Sequence, residues 1–273
     1  MCNNRTFGVA VRVGFVGAGR IGAPMVRRLV DAGHDVRALG RTEEARAAVA
    51  ELGATAVAEL ADVTAGADAV VLCVFTDDQV KQICFSDGLL AAMPSGAVLV
   101  LHTTGSPRTA ETIAAQAPHV RVVDSPVSGG PHDVAAGRIA LFVGGDDGAV
   151  DRVRPVLSAY GDPILHVGPV GSGQKVKLVN NVMFAAQLGL IAEGVRFAGG
   201  LGIKEAALLS ALTHGSGSSR ALGLVANAGS IGAFIAGVGE FIGKDVAVAR
   251  ATAAELGGEL GTLDDVVNAG IQP

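Results

Sequence analysis

The 273-residue sequence contains no tryptophan, one tyrosine and only 4% aromatic residues, so its interior must be built mainly from Ala, Val, Leu and Gly. Charge is also scarce, at 17% of residues with a formal net charge of -5. No Lys/Arg cluster is long enough to follow a phosphate backbone, which excludes nucleic acid as an expected partner but leaves room for a small anion held locally. Only three cysteines occur, Cys2, Cys73 and Cys84. Their spacing matches neither a metal site nor a disulfide framework, so they read as small hydrophobes in a reducing compartment, with no metal. The polar start at Cys2, Asn3, Asn4 and Arg5 leaves no secretory apolar region, and a cytoplasmic location is expected. Residues 221–239 lack charge and approach the length of a membrane span. Five glycines, Asn227 and Ser230 argue instead for buried, tightly packed helices and no membrane.

What is abundant is apolar pattern, with 49% hydrophobic residues and 39 glycines. Residues 11–16 read as a strand, followed by a glycine-rich turn and a helix over 23–32, where Met25, Val26, Leu29 and Val30 recur at helical spacing. Strand and helix then alternate, with strands at 36–39, 69–75, 97–101, 120–123, 140–143 and 164–167 and a helix near 43–52. Runs apolar throughout imply parallel strands covered on both faces. After residue 173 the strand signal ends, and 174–198 reads as one proline-free helix about 37 Å long. The expected architecture is an α/β Rossmann domain, mostly parallel and doubly wound, over 1–170. An all-α domain over 171–273 follows, joined by that long helix.

Three segments carry chemistry. Gly17-Ala18-Gly19-Arg20-Ile21-Gly22 has a spacing that chance supplies about once in a chain this rich in glycine. Its place between the first strand and first helix makes it a pyrophosphate loop: Gly17 turns, Gly19 lets the backbone approach, and Gly22 packs the helix. The acid that holds an NAD ribose is missing at Gly40, and Arg41 with Thr42 offers donors to a 2′-phosphate, so NADP is expected over NAD. The alternative is a solvated Arg41 neutralised by Glu43 and Glu44. Asp124-Ser125-Pro126-Val127-Ser128-Gly129-Gly130 is either an oxyanion nest at a strand end or an ordinary turn. In Gly171-Ser172-Gly173-Gln174-Lys175-Val176-Lys177-Leu178-Val179-Asn180-Asn181, Lys177 and Asn181 share a helix face. A desolvated lysine near a helix N-terminus should have a lowered pKa and serve as a proton shuttle, whereas an isolated Lys-x-x-x-Asn is usually a surface feature.

In this order, the extended glycine loop from Gly14 to Met25, the two later motifs and a fourth signature, Lys244-Asp245, resemble the β-hydroxyacid dehydrogenase family over almost the whole chain. That family includes 3-hydroxyisobutyrate dehydrogenase, tartronate semialdehyde reductase and the glyoxylate/succinic semialdehyde reductases. The resemblance implies Lys177 as the proton donor or acceptor, assisted by Asn181, while NADP(H) moves the hydride. Ser128 and the N–H groups of Gly129 and Gly130 would bind the substrate carboxylate. Thr104 would lie near the nicotinamide, Lys244 would close over the cofactor, and Phe75 and Thr76 would line the adenosine-ribose side. A homodimer or higher homo-oligomer is implied as well.

The sequence departs from the family at Leu101, where many members carry Asp, and next to it His102 reads as a structural histidine. Arg220 stands in a region where relatives resemble one another in an aromatic, and is expected to meet a second anionic group on the substrate. The segment after Asp265 is short against the family. Two other readings remain open at this point, an imine reductase and a protein that binds NADPH without turnover. Lys177, Asn181 and the Ser128 loop favour the hydroxy-acid enzyme over both.

Overall fold

The computed structural model of the chain describes residues 10–271, so the readings at Cys2, the polar N-terminal stretch and Pro273 lie outside it. The chain divides into two compact units, one ending at Lys177 and the other beginning at Leu178. This division falls inside a helix, beyond the change of character read at 170/171.

In the first unit, β1 (Arg12–Val16), β2 (Asp35–Leu39), β3 (Thr55–Val57), β4 (Ala69–Leu72), β5 (Val98–Leu101) and β6 (Arg121–Asp124) run parallel in the order β3-β2-β1-β4-β5-β6. The connection reverses direction between β1 and β4, the place where a doubly wound sheet opens a crevice at its carboxyl edge. β4 and β5 explain why the runs are apolar throughout. Ala69, Val71, Val98 and Val100 join the core on one face, and Val70, Leu72, Leu99 and Leu101 the core on the other. Covering these faces are α1 (Gly22–Asp31), α2 (Glu43–Glu51), α3 (Leu60–Thr64), α4 (Asp77–Lys81), α5 (Leu89–Ala92) and α6 (Pro107–Gln116).

Beyond β6 the pairing changes. β7 (Val127–Ser128) and β6 both lie antiparallel to β8 (Ile139–Gly144), and β9 (Gly161–Gly168) runs parallel to β8. α7 (Pro131–Ala135) and α8 (Asp147–Ser158) complete this edge. β3 and β7, three and two residues long, are too short to show a period in sequence. The strand read over 69–75 stops at Leu72 because Val74 leaves the ladder to bond the Thr103 side chain through both its N–H and its carbonyl.

α9 (Ser172–Gly200) begins in the first unit and continues into the second, where α10 (Glu205–Leu212), α11 (Arg220–Ala228), α12 (Ile231–Glu255) and α13 (Thr262–Ile271) follow. No strand occurs after β9 among the described residues. α9 is long and apolar enough by length and composition alone to cross a membrane. The uncharged stretch 221–239 is not one straight helix: it covers α11 and the start of α12, bent by 114° at a break containing Gly229 in the left-handed region. Burial there is partial, a correction to the reading of wholly buried helices. Ala221, Leu222 and Val225 face the core of the second unit while Leu224 is 39% exposed, because each helix presents only one stripe inward.

Within this unit the backbones of α9 and α13 approach closely at two glycines. A methyl group on Gly189 would strike the Val266 carbonyl, and one on Gly270 would strike the Gly189 backbone. Gly189→Ala is therefore expected to destabilise the second unit by about 1–3 kcal/mol, seen as a lowered thermal midpoint. Gly194→Ala on the same helix, where nothing lies within 4 Å of the added methyl, should be neutral or slightly stabilising. Equal midpoints for the two variants would contradict the close crossing.

Candidate active site

The glycine loop sits at the carboxyl end of β1. Gly17 has φ +99° and no room for a side chain, because a Cβ would strike the Cys73 carbonyl beyond β4. Gly22 is equally crowded, against the Gly17 carbonyl. Gly19 is the opposite case: a Cβ there would meet nothing within 4 Å. The fold makes no demand for a glycine here, which leaves the backbone open to an approaching group. Directly behind it α1 starts at Ile21 with no side-chain cap. An uncapped N-terminus beside an open glycine leaves backbone N–H groups that can receive an anion, so the residues present fit the pyrophosphate of a dinucleotide. Arg20 is exposed beside it.

A cleft of about 230 Å³ continues from this loop along Val16, Gly17, Leu39, Arg41, Val74, Gln79, Gln82, Ile83 and Asp87. Gly40, where an NAD ribose acid would stand, cannot carry a side chain, since its Cβ would come within 2.7 Å of the Arg46 backbone nitrogen. Arg41 points to the cleft but is paired, its Nη2 3.2 Å from Asp87 Oδ2. The carboxylate opposite Arg41 is thus Asp87, a correction to the reading that named Glu43 and Glu44. Thr42 caps α2, its Oγ1 accepting from Ala45 N–H at 3.2 Å. The Glu44 carboxyl, held below its usual range first by its own N–H, is lowered further by the Thr42 hydroxyl. Between the lining residues Val74 and Gln79, Phe75 is 46% exposed, and Thr76 caps α4 in a reciprocal capping box with Gln79.

At the carboxyl end of β6, Asp124 is fully buried, and its two oxygens accept the N–H groups of Gly171 at 2.6 Å and Gln174 at 2.8 Å. Burial pushes this carboxyl up to about 6, with the Gly171, Gln174 and Gly173 amides opposing the shift. It remains ionised at neutral pH. The Gln174 side chain completes the clamp, donating to Thr103 O at 2.8 Å and accepting from Gly105 N–H at 3.0 Å at the end of β5. Thr104, half-buried, lies between these two anchors. Lys177 follows one turn later and is 8% exposed, which replaces the surface-lysine alternative. It lies four residues after Gly173, whose Cα packs against the Asp124 and Phe142 carbonyls, so the two share the helix face turned to the sheet edge. His102 is a structural group: its Nδ1–H donates to Ser125 O at 2.5 Å and Nε2 accepts from Tyr160 O–H at 2.8 Å. Burial lowers its pKa to about 4, so the ring is neutral.

Ser128 ends β7, and Gly129 follows at φ +138°. The Gly130 N–H, at the N-cap of α7, is already bonded to Asp133 Oδ2 at 2.8 Å. This corrects the expectation that both glycine amides face a ligand, and leaves Ser128 and the Gly129 amide.

The remaining expected residues belong to the second unit. Asn181, 8% exposed, donates from Nδ2 to Asp245 Oδ2 at 2.7 Å and accepts from Asn180 Nδ2 at 3.2 Å. Lys244 Nζ lies 3.3 Å from Asp245 Oδ1. Arg220 is exposed in the first turn of α11. Asp87, Asp133 and Gln174 are the residues here that sequence reasoning gave no role, although Gln174 lay inside the third motif. Among the described residues no cluster of His, Cys, Asp or Glu could hold a metal.

Comparison with known proteins matches both parts of the chain to described families. Residues 12–168 match the family described as the NAD binding domain of 6-phosphogluconate dehydrogenase. Residues 171–268 match that described as NAD-binding of NADP-dependent 3-hydroxyisobutyrate dehydrogenase. An uncharacterized oxidoreductase of Shewanella frigidimarina is 36% identical over 212 residues, 76% of this chain and 73% of its own. An NAD-dependent L-serine dehydrogenase of Pseudomonas aeruginosa is 32% identical over 214 residues, 77% and 72% of the two chains. Among solved structures, Mycobacterium tuberculosis 3-hydroxyisobutyrate dehydrogenase with L-serine is similar at a TM-score of 0.85 and 29% identity, covering 95% of this chain and 92% of that one.

The contrast between Gly17 and Gly19 gives a direct check. Gly19→Ala should keep the wild-type melting temperature yet weaken dinucleotide binding on the order of tenfold, as measured by fluorescence titration. Gly17→Ala should lose both stability and binding. Unaltered affinity in Gly19→Ala would refute the pyrophosphate site.

Proposed function

The chain belongs to the β-hydroxyacid dehydrogenase family and is an NAD(P)-dependent oxidoreductase of the 3-hydroxyisobutyrate dehydrogenase type, and we propose that it interconverts a small β-hydroxy acid and its semialdehyde acid with NADP(H). One placement supports this reading above all: the buried Lys177 shares a helix face with Gly173, at the carboxyl edge where the glycine loop, Thr104 and the Ser128 loop also end. Ligands of open α/β sheets bind at that edge.

The nicotinamide supplies or accepts the hydride when bound. The rest falls to the chain. As an ammonium, Lys177 donates a proton to the carbonyl oxygen during reduction; as an amine it takes the hydroxyl proton during oxidation. Asn181, one turn further along the helix, orients that exchange, with its carboxamide fixed by Asp245. The Ser128 hydroxyl and Gly129 N–H take the substrate carboxylate, without the Gly130 amide, and Arg220 takes a second anionic group where the substrate has one. Gly17, Gly19, Arg20, Ile21 and Gly22 hold the pyrophosphate, Phe75 and Thr76 the adenosine ribose, and Thr104 and Lys244 the nicotinamide side. Arg41, beside Thr42 and the side-chain-free Gly40, holds the 2′-phosphate of NADP.

The substrate class follows the relatives. L-serine and 3-hydroxyisobutyrate, named in theirs, share a hydroxymethyl group on the carbon that bears the carboxylate, and one proton donor beside one carboxylate site serves both. The apolar side chains that α9 leaves exposed, Val179, Leu190 and Phe197, are the surface a homo-oligomer would cover.

The test is a panel of 3-hydroxyisobutyrate, L-serine, glyoxylate, succinic semialdehyde, methylmalonate semialdehyde and a cyclic imine, each with NADPH/NADP and NADH/NAD. Turnover should be confined to the carboxylate-bearing compounds and be faster with the phosphorylated cofactor. Turnover of the imine alone would overturn the reaction class, and equal use of both cofactors would overturn the NADP assignment.

A further inference from the structure

The Arg41–Asp87 pair stands in the same cleft wall as the proposed 2′-phosphate site and has no part in the reading above. The two partners are unequally held. The Arg41 side chain is 64% exposed and reaches across from the turn after β2. The Asp87 side chain is 28% exposed, and its Oδ1 accepts from Gln82 Nε2 at 2.7 Å while Oδ2 faces Arg41 Nη2. Its own N–H bonds Gln82 O at 2.8 Å, closing a π turn over Gln82–Ser86 before the left-handed Gly88. A π turn inserted in a helix commonly marks a functional position. The carboxylate is thus fixed by the backbone and by Gln82, and the guanidinium comes to it.

We propose that Asp87 is a specificity-determining residue that works against the 2′-phosphate. A phosphate bound by Arg41 brings about two negative charges beside a carboxylate already seated on the same guanidinium. It must share or displace that partner. A 2′-hydroxyl makes no such demand and can itself donate to a carboxylate. Asp87 therefore lowers the preference for NADP below what Arg41 alone would give. This inference rests on the reading of Arg41 as the 2′-phosphate residue.

The experiment compares the ratio of kcat/KM for NADPH over NADH in the wild type, in Asp87→Asn and in Arg41→Ala. The Asp87→Asn carboxamide would keep an oxygen for Gln82 but carry no charge. In this variant the ratio should rise about tenfold, mainly through a lower KM for NADPH, and the gain should shrink at high salt, as expected for charges near the surface. In Arg41→Ala it should fall. An unchanged or lower ratio in Asp87→Asn, with Arg41→Ala still lowering it, would overturn the inference alone. An unchanged ratio in Arg41→Ala would overturn the NADP reading and the inference together.

Discussion

The arrangement depends on one buried carboxylate. Asp124 ends β6 and accepts backbone N–H groups from the first turn of α9, so a charge that could not otherwise stay dry takes the place of a helix cap. The N-terminal dipole of α9 and the amides favour its ionised form, while burial opposes it. Because α9 is a continuous helix, fixing its first turn fixes every residue of the next, Lys177 included. Gln174 adds a second anchor at β5, so the helix start is held against two adjacent strand ends.

Two of the helix N-termini at the carboxyl edge are therefore treated in opposite ways. α9 is closed by the chain's own anion, and α1 is left without a side-chain cap beneath an open Gly19. The first is structural, and the second is the one proposed to receive the dinucleotide. The same logic of internal against external anions runs through the rest of the site. Asp133 takes an amide from the Ser128 loop, and Asp87 takes a face of Arg41. With a net charge of -5 the chain has no general attraction for anions, and selectivity rests on which local donors its own carboxylates leave available.

Much of this was legible in the sequence, for reasons that differ by residue. The glycine loop could be read because its spacing sits between a strand and a helix, where Gly17 and Gly22 each answer a steric demand of the fold. β4 and β5 could be read because strands covered on both faces lose their polar alternation. α9 could be read because no proline interrupts it. The partners of Arg41 and of the Gly130 amide could not, one being 46 residues away and the other a carboxylate that turns back from the first turn of a five-residue helix. The burial of Lys177 could not be read either. Locally, Lys-x-x-x-Asn is the same on a surface helix as in a site, and the clamp that decides between them comes from a strand 47 residues earlier than Gly171. The absent acid at Gly40 was visible, but its cause, the close approach of α2 to the end of β2, was not.

Everything proposed for the chemistry converges on the Lys177 amine, and chemical rescue addresses it most directly. Lys177→Ala should bind the dinucleotide as the wild type does while kcat falls by about 10²–10⁴. Added primary amines should restore part of that loss, in an order set by their basicity. Wild-type turnover in Lys177→Ala, or a loss that no amine restores while substrate and cofactor still bind, would contradict the account.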